Sequence, residues 1–225
     1  MALAEVAICS GYPTQLALAG LLRAGGLSPL DADGRLSAAF LFTLSLADAA
    51  LLIALIVFFV RRHGERPRDV FLGARPVIGE GLLGLALAPV LLTATLALLL
   101  TLRTWLPVLH NVPENPLGAF VESPWTLAGL VAVVLIAGAL REELQRAFLL
   151  RRFEQRLGGA WVGLAITTVA FGLGHTLQGW DAAIATAALG FTWGLLYLTR
   201  RSAVAAIVSH GLFNGAEVLR AALTQ

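Results

Sequence analysis

The sequence predicts an all-α fold, a polytopic transmembrane helical bundle of about seven spans that forms a single integral membrane domain over residues 1–225. Composition is the first observation behind this prediction. Of the 225 residues, 58% are hydrophobic and 13% are charged, whereas soluble domains carry about 25% charged residues. The second observation is that the apolar residues form long runs, since one span needs about 20 of them. The mean hydropathy of +0.81 agrees with this class, and backbone in lipid must satisfy its own hydrogen bonds, which favours helices.

The apolar runs place the spans in chain order. They are predicted at about residues 5–22, 36–60, 77–102, 125–156 and 161–175, followed by a sixth span that ends near residue 197 and a seventh at 202–223. Gly11, Tyr12 and Pro13 are expected to kink or break the first span, because proline removes a helical hydrogen bond. Trp125, a residue type of membrane interfaces, begins the fourth span. We expect the fourth span to be one continuous helix.

Clusters of arginine predict which connections face the cytoplasm. Five arginines lie between residues 61 and 75, and others cluster at 151–156 and 200–201. By the positive-inside rule these segments belong on the cytoplasmic side. The connection 103–124 has few positive charges and is expected on the outer face. It carries Pro107, Pro113, Pro116 and Pro124. The formal net charge of +2 is too small to indicate a nucleic-acid partner.

Glu142 and Glu143 are adjacent acids near the cytoplasmic end of the fourth span. A charge at bilayer depth costs at least about 2.5 kcal/mol on insertion scales, so the pair needs an explanation. Arg146 lies four residues after Glu142 and three residues after Glu143, so it shares a helix face with both and can reach both. One interpretation is catalytic: one carboxylate, preferably Glu142 with Arg146 as its ion-pair partner, holds and deprotonates a water molecule. The other is a cluster at the membrane interface whose long side chains extend to water.

Two histidines lie inside later spans, where an ionisable side chain again needs a reason. His175 follows Gly172 and Gly174, which allow a neighbouring helix or a substrate to come close. His210 and Asn214 are four residues apart and therefore share a helix face. An imidazole and a carboxamide there can bind a metal or donate hydrogen bonds to an oxyanion. Hydrogen bonds between helices are the alternative role for all three polar side chains.

Counting helical residues inward from the arginines gives each candidate a depth, at about 1.5 Å per residue. Glu142, Glu143 and His210 come out at about the same depth, and Asn214 comes out one turn deeper. His175 comes out about 10 Å too deep to meet them, unless its helix tilts or begins below the membrane surface.

Asp48 is a further acid within a span. A hydrogen-bonding role among packed helices is one interpretation, and a proton path with Glu80 in a transporter is the other. Cys9 is the single cysteine. It excludes an internal disulfide and is expected to pack as a small apolar residue.

Three motifs, in this order along the chain, resemble those of the CPBP intramembrane proteases, a family also called Abi that includes the type II CAAX prenyl endopeptidases. The family reads EExxxR, FxxxH and HxxxN, with B as an alternative to N. Here Glu142 and Glu143 with Arg146 resemble the first motif. Residues 171–175 match the second motif and residues 210–214 match the third. The first motif departs in one respect, since Arg146 comes four residues after Glu142 where the family has five.

The resemblance implies a hydrolase, an intramembrane endopeptidase. Glu142 or Glu143 would activate water, His175 would assist, and His210 with Asn214 would support the oxyanion. Participation of zinc is left open; Glu142, His175 and His210 would hold the metal if one is used. The substrate would be a membrane-associated peptide or protein that is prenylated or bears a leader.

We expect an integral, multi-pass protein of a bacterial cytoplasmic (inner) membrane, with the lipid bilayer as a partner and a motif-bearing core at about residues 125–225. Two other functions fit the sequence. A non-catalytic membrane scaffold or immunity-type protein of the same fold would need only the packing of these side chains. A transporter would need a path that joins Asp48 to both faces. The sequence carries no signal for an oligomeric state.

Overall fold

The computed structural model describes residues 1–113 and 117–223, which include no strand and only an isolated backbone pairing of Leu30 with Leu36. The all-α prediction is confirmed for these residues. In the first half of the chain the helices are α1 (Ala2–Ile8), α2 (Tyr12–Ala24), α3 (Ala38–Arg62), α4 (Pro67–Phe71) and α5 (Val77–Trp105). The second half contains α6 (Pro124–Val133), α7 (Glu142–Arg156), α8 (Ala160–Leu173), α9 (Trp180–Arg200) and α10 (Val204–Leu223). A π-helix, Val134–Arg141, joins α6 to α7. Pro116 of the predicted outer connection lies outside the described residues.

Among the described residues, four helices are long and apolar enough to cross a membrane: α3, α5, the continuous helix Pro124–Arg156, and α9. The chain is therefore an integral membrane protein, but the predicted number of about seven spans is not confirmed. Helix α8 has 14 residues, which cover about 21 Å and fall short of the roughly 30 Å hydrocarbon core. Helix α10 has 20 residues but is less apolar. Its polar residues are Ser209, His210, Asn214, Glu217 and Arg220.

The first predicted span is two helices, α1 and α2, so the predicted break is confirmed. Gly11 precedes α2 with φ +89°, a left-handed conformation that glycine adopts without steric cost. Pro13 then lies in the first turn of α2, where its missing N–H removes no helical hydrogen bond. Near the break, the carbonyl of Cys9 accepts a hydrogen bond from the side chain of Gln145 at 2.8 Å. This hydrogen bond joins the break between α1 and α2 to helix α7.

Arginines from separate segments meet at one end of the bundle, which we call the arginine-rich end. Glu65, between α3 and α4, accepts hydrogen bonds from Arg151 and Arg152, both at 2.6 Å. Glu80, in the first turn of α5, accepts from Arg200 at 2.5 and 3.0 Å. The three arginine clusters therefore lie on the same side of the molecule, as a shared cytoplasmic location requires. The orientation of that side in the membrane remains a prediction.

A buried cluster near this end supports α7. Leu52 and Ile56 of α3 belong to it together with Phe148 and Leu150 of α7, and all four are 0% exposed. Interiors of this kind are close-packed, so their side chains have little freedom to shift. Glu142 and Glu143 begin the same helix and are therefore held on a rigid support.

Helices α5 and α10 pack closely near the arginine-rich end and enclose a cavity further along. A Cβ atom on Gly84 would lie 2.7 Å from the carbonyl oxygen of Ala205, so a larger residue does not fit there. Beyond this contact, the C-terminal halves of both helices line a cavity of about 980 Å³ together with the π-helix and α9. Residues of the connection 106–123 line its opposite end. The cavity therefore extends from the middle of the bundle toward the predicted outer side.

Candidate active site

The π-helix Val134–Arg141 shapes one wall of the cavity. Hydrogen bonds from residue i to i+5 widen a helix, and such stretches occur frequently at functional sites. The carbonyl of Val134 accepts a hydrogen bond from Nδ2 of Asn214 at 3.1 Å. A Cβ atom on Gly138 would lie 2.9 Å from that same nitrogen, so glycine is what lets Asn214 come this close. The continuous helix 125–156 was predicted, but the sequence has no local signal for its π-helical section.

The adjacent acids Glu142 and Glu143 point in different directions. Glu142 lines the cavity, and its side chain is 20% exposed. Glu143 has a side chain only 1% exposed and accepts hydrogen bonds from Arg146 and from His210. Neighbouring residues on a helix diverge by about 100°, which separates their surroundings. The pair therefore divides into one acid facing the cavity and one acid behind it.

The expectation that Arg146 pairs with Glu142 is wrong, because its partner is Glu143. Arg146 is 4% exposed, and its guanidinium carbon lies 4.5 Å from the ring centre of Phe171 and 5.8 Å from that of Trp193. These cation–π contacts hold it on the buried face of α7. Glu143 shares that face and Glu142 does not.

His210 lies between the two acids. Its Nδ1 is 2.8 Å from Oε1 of Glu143, and its Nε2 is 4.0 Å from Oε2 of Glu142. The ring stacks on Trp193 at 3.9 Å between centroids with an interplanar angle of 13°. Nε1 of Trp193 in turn donates to Oγ of Ser209 at 3.1 Å. Trp193 therefore fixes the plane of the imidazole, a role that sequence reasoning missed because a tryptophan in an apolar helix suggests only packing.

His175 lies in the turn that follows α8 and lines the same cavity as His210. Its Nδ1 is 2.9 Å from the carbonyl oxygen of Phe171. Because a carbonyl only accepts, Nδ1 carries the proton and donates it, which leaves Nε2 as an acceptor in the neutral ring. The Phe171 ring lies 4.9 Å from the ring of His175 and 6.2 Å from that of His210. The predicted excess depth of His175 therefore does not prevent it from facing the shared cavity.

Four of the six predicted site residues line this cavity: Glu142, His175, His210 and Asn214. Glu143 and Arg146 lie behind them and contact the cavity only through His210 and the neighbouring aromatic rings. The two motifs that carry the histidines thus meet the carboxylate motif at one place. Convergence of this kind is what a hydrolytic site requires.

The metal site left open by the sequence is not formed by the described residues. Over residues 1–113 and 117–223, no three His, Cys, Asp or Glu side chains converge closely enough to hold a metal ion. Nδ1 of His175 and Nδ1 of His210 are each bonded within the protein, which leaves Nε2 of each ring as the nitrogen able to bind a metal. As arranged here, however, Glu142, His175 and His210 are not close enough together to hold a zinc ion.

Asp48 does not itself line the cavity and has partners of its own. It is 0% exposed, accepts a hydrogen bond from Oγ1 of Thr14 at 2.5 Å, and lies 3.3 Å from the guanidinium of Arg141. Glu80 is instead bound to Arg200 at the arginine-rich end. This arrangement favours the hydrogen-bonding interpretation of Asp48 over a proton path that it shares with Glu80.

Comparison with known proteins gives a match to a family model. Residues 123–216 match the family model described as Type II CAAX prenyl endopeptidase Rce1-like. No curated protein and no solved structure matches the chain. The matched segment begins one residue before α6 and includes all six predicted site residues. The family implies a protease, and thus a hydrolase. Residues 123–216 are therefore similar to the Rce1-like family of type II CAAX prenyl endopeptidases, in agreement with the family that the three motifs of this chain resemble.

Proposed function

We propose that this chain is an intramembrane endopeptidase in which Glu142 is the general base that activates water. One observation carries the proposal: Glu142 faces the cavity, whereas Glu143 is occupied by Arg146 and His210. A general base must come within hydrogen-bond reach of the proton that it removes. Of the two acids, only Glu142 meets that requirement for a water molecule in the cavity.

The reaction follows from these positions. Glu142 takes a proton from water, and the resulting hydroxide attacks the carbonyl carbon of the scissile peptide bond. The tetrahedral intermediate then collapses as the proton on Glu142 passes to the leaving amine, which gives one new carboxyl and one new amino terminus. His175, whose Nε2 is free to accept, assists in orienting the water.

His210 and Asn214 support the oxyanion of the intermediate. Glu143 accepts the Nδ1 proton of His210, so Nε2 is the nitrogen directed toward Glu142. When the ring carries both protons, Nε2–H donates to the oxyanion. Asn214 uses one amide hydrogen on the carbonyl of Val134 and has a second to donate. Preorganised donors of this type are worth about a hundredfold to a thousandfold in rate.

The cavity favours an extended, mostly apolar substrate. Its volume of about 980 Å³ lies at the upper end of the range for ligand sites, roughly 300–1,000 Å³. Apolar side chains of α5, α9 and α10 form much of its wall. We therefore propose a membrane-associated peptide or protein, prenylated or bearing a leader, as the substrate. The location that we propose is a bacterial cytoplasmic membrane.

Turnover by the purified protein in lipid nanodiscs tests the proposal. Membrane-anchored reporter peptides, some with a prenylated C-terminal cysteine motif, are expected to be cleaved by the wild type and not by Glu142→Gln. Glu217→Gln is the matched control, because Glu217 lines the same cavity and binds Arg220 at 2.9 Å. Equal turnover by Glu142→Gln and the wild type would remove Glu142 as the base. Absence of cleavage by the wild type for every reporter would favour the non-catalytic scaffold.

A further inference from the structure

A second polar cluster lies where the cavity meets the connection 106–123. At its centre is Asp181, in the first turn of α9, with a side chain only 1% exposed. It accepts hydrogen bonds from Nε of Arg103 at 2.8 Å and from Nδ1 of His110 at 2.9 Å. The backbone N–H of Ala182 donates to its other oxygen at 2.9 Å. A buried carboxylate thus orients two basic side chains that both line the cavity.

Arg103 retains donors that the described part of the protein does not use. Its side chain is 49% exposed, and Asp181 engages only its Nε. Within the described residues, its two terminal nitrogens have no hydrogen-bond partner. A guanidinium presents these nitrogens as a planar fork that matches a carboxylate. His110, 31% exposed, adds a further donor at Nε2 when its ring carries both protons.

Helix α9 sets the distance from this cluster to the proposed reaction centre. At the start of α9, Asp181 binds Arg103. Trp193, twelve positions later on the same helix, stacks on His210. Twelve helical residues advance about 18 Å. An extended peptide advances about 3.3 Å per residue, so it covers that distance in about five residues.

We propose that Arg103, oriented by Asp181, binds a carboxylate of the peptide substrate about five residues away from the scissile bond. The inference rests on the proposed function, since it takes the reaction centre to lie at Glu142 and His210. An apolar peptide would then occupy the cavity with its charged group at the end near the connection 106–123. The charge would determine which peptide bond reaches Glu142.

This site is tested by peptide binding and not by turnover. Failure of the carboxylate-site proposal is therefore distinguishable from failure of the protease proposal. The Glu142→Gln protein in neutral-lipid nanodiscs is titrated with fluorophore-labelled alanine–leucine octapeptides, as C-terminal acids or as amides. The acid is expected to bind about tenfold to a hundredfold more tightly than the amide, the effect of a charge-assisted hydrogen bond. Adding Arg103→Gln should bring that ratio to about one, and Arg103→Lys should retain part of it.

Arg35→Gln is the matched control. Arg35 is an exposed arginine in the connection before α3, pairs with Asp33 at 3.1 Å, and does not line the cavity. The acid preference should be unchanged in this variant. If acid and amide bind equally to the Glu142→Gln protein, the proposal is overturned. It is also overturned if Arg103→Gln weakens both peptides equally and lowers the melting temperature, since that is the result for a purely structural ion pair.

Three further experiments identify the source of the carboxylate, its spacing, and whether the ligand is a peptide or a lipid headgroup. An amidated peptide with aspartate at its last position should bind as the acid does if any carboxylate suffices, and as the amide does if the α-carboxylate is required. A photo-crosslinking residue placed two, five or eight positions from the carboxylate should label the segment around Trp193 most strongly at five. A maximum at two or eight would overturn the spacing. Loss of the acid preference in nanodiscs of anionic lipid would assign the site to lipid headgroups and overturn the peptide proposal.

Discussion

His210 is hydrogen-bonded to Glu143 through Nδ1 at 2.8 Å, while its Nε2 is directed toward Glu142 at 4.0 Å. Glu143 also accepts from Arg146, so its carboxylate already has two partners in a buried setting. A carboxylate behind a histidine fixes its orientation and stabilises its charged form. Glu143 therefore positions His210, and Glu142 is the acid left for the proposed chemistry.

Glu143→Gln should act through His210. We expect a loss of turnover of about tenfold to a hundredfold, because a charge-assisted hydrogen bond is removed and the base remains. In a His210→Ala background the same substitution should have little further effect, since groups that act as a unit are non-additive. The measurement is turnover per folded molecule for both single variants and the double variant. Fully additive losses would contradict the prediction that Glu143 acts through His210. A complete loss in Glu143→Gln with activity retained in Glu142→Gln would move the base to Glu143.

Asn214→Ala should reduce both stability and turnover, because Asn214 has two roles. Its bond to the Val134 carbonyl holds α10 against the π-helix, and its second amide hydrogen is the proposed donor to the oxyanion. Losing one oxyanion donor costs about 2.7–4 kcal/mol of transition-state stabilisation, which is a hundredfold to a thousandfold in kcat. Substrate binding should barely change. If turnover per folded molecule equals that of the wild type, Asn214 has only the structural role.

Asp48→Asn should destabilise the protein without changing cleavage per folded molecule. The substitution leaves Arg141, whose side chain is 11% exposed, without its buried ionic partner. Breaking a buried ion pair on one side costs about 3–5 kcal/mol in the free energy of unfolding. Thermal melting in detergent measures the effect, and adding Arg141→Met should recover part of the loss. A change in proton flux across liposomes, with stability unaltered, would support the transporter interpretation instead.

Apolar run length and charge pattern predicted the positions of α3, α5 and α9, and of the continuous helix 125–156. The number of about seven spans is not confirmed, because composition does not distinguish a run that crosses the bilayer from one such as α8, which has only 14 residues. The motifs identified which polar side chains face the cavity, since spacing of four residues places His210 and Asn214 on one helix face.

Spacing alone was not sufficient to assign the partner of Arg146. Residues three and four positions away are both within its reach on a helix. The choice of Glu143 depends on Phe171 and Trp193, which come from other helices and bury the guanidinium. For the same reason, the link between Arg103 and Asp181 was not predicted, because 78 residues separate these two side chains in the sequence.

Glu65→Gln should lower thermal stability in a pH-dependent way. Burial alone would raise the pKa of Glu65, but hydrogen bonds from Arg151, Arg152 and Gln155 outweigh burial and hold its pKa below the ordinary value. A lowered pKa in the folded state contributes stability above the pKa of the unfolded chain, about 4.3 for glutamate, and that contribution is lost as the pH falls through the folded-state pKa. The difference in melting temperature between wild type and variant should therefore be constant from pH 7 to about pH 5 and shrink below about pH 4.

Asp33→Asn is the control for this series. Asp33 pairs with Arg35 in an exposed setting, where an ion pair contributes little to stability. Its melting temperature should follow that of the wild type at every pH. A Glu65→Gln difference that grows as the pH falls would contradict the assigned direction of the pKa shift.

The arginine-rich end should face the cytoplasm, since the positive-inside rule applies to short connections of this kind. Two single-cysteine variants test the orientation in a Cys9→Ser background, which removes the only native thiol. Arg68→Cys reports on the arginine-rich end, and Asp33→Cys reports on the opposite end, where Phe42 of α3 contacts Phe120 at 5.3 Å between ring centroids. Both positions are exposed. In intact cells an impermeant thiol reagent should label the cysteine at position 33 and should label the one at position 68 only after permeabilisation. The reverse pattern would invert the topology and place the cluster around Arg103 on the cytoplasmic side.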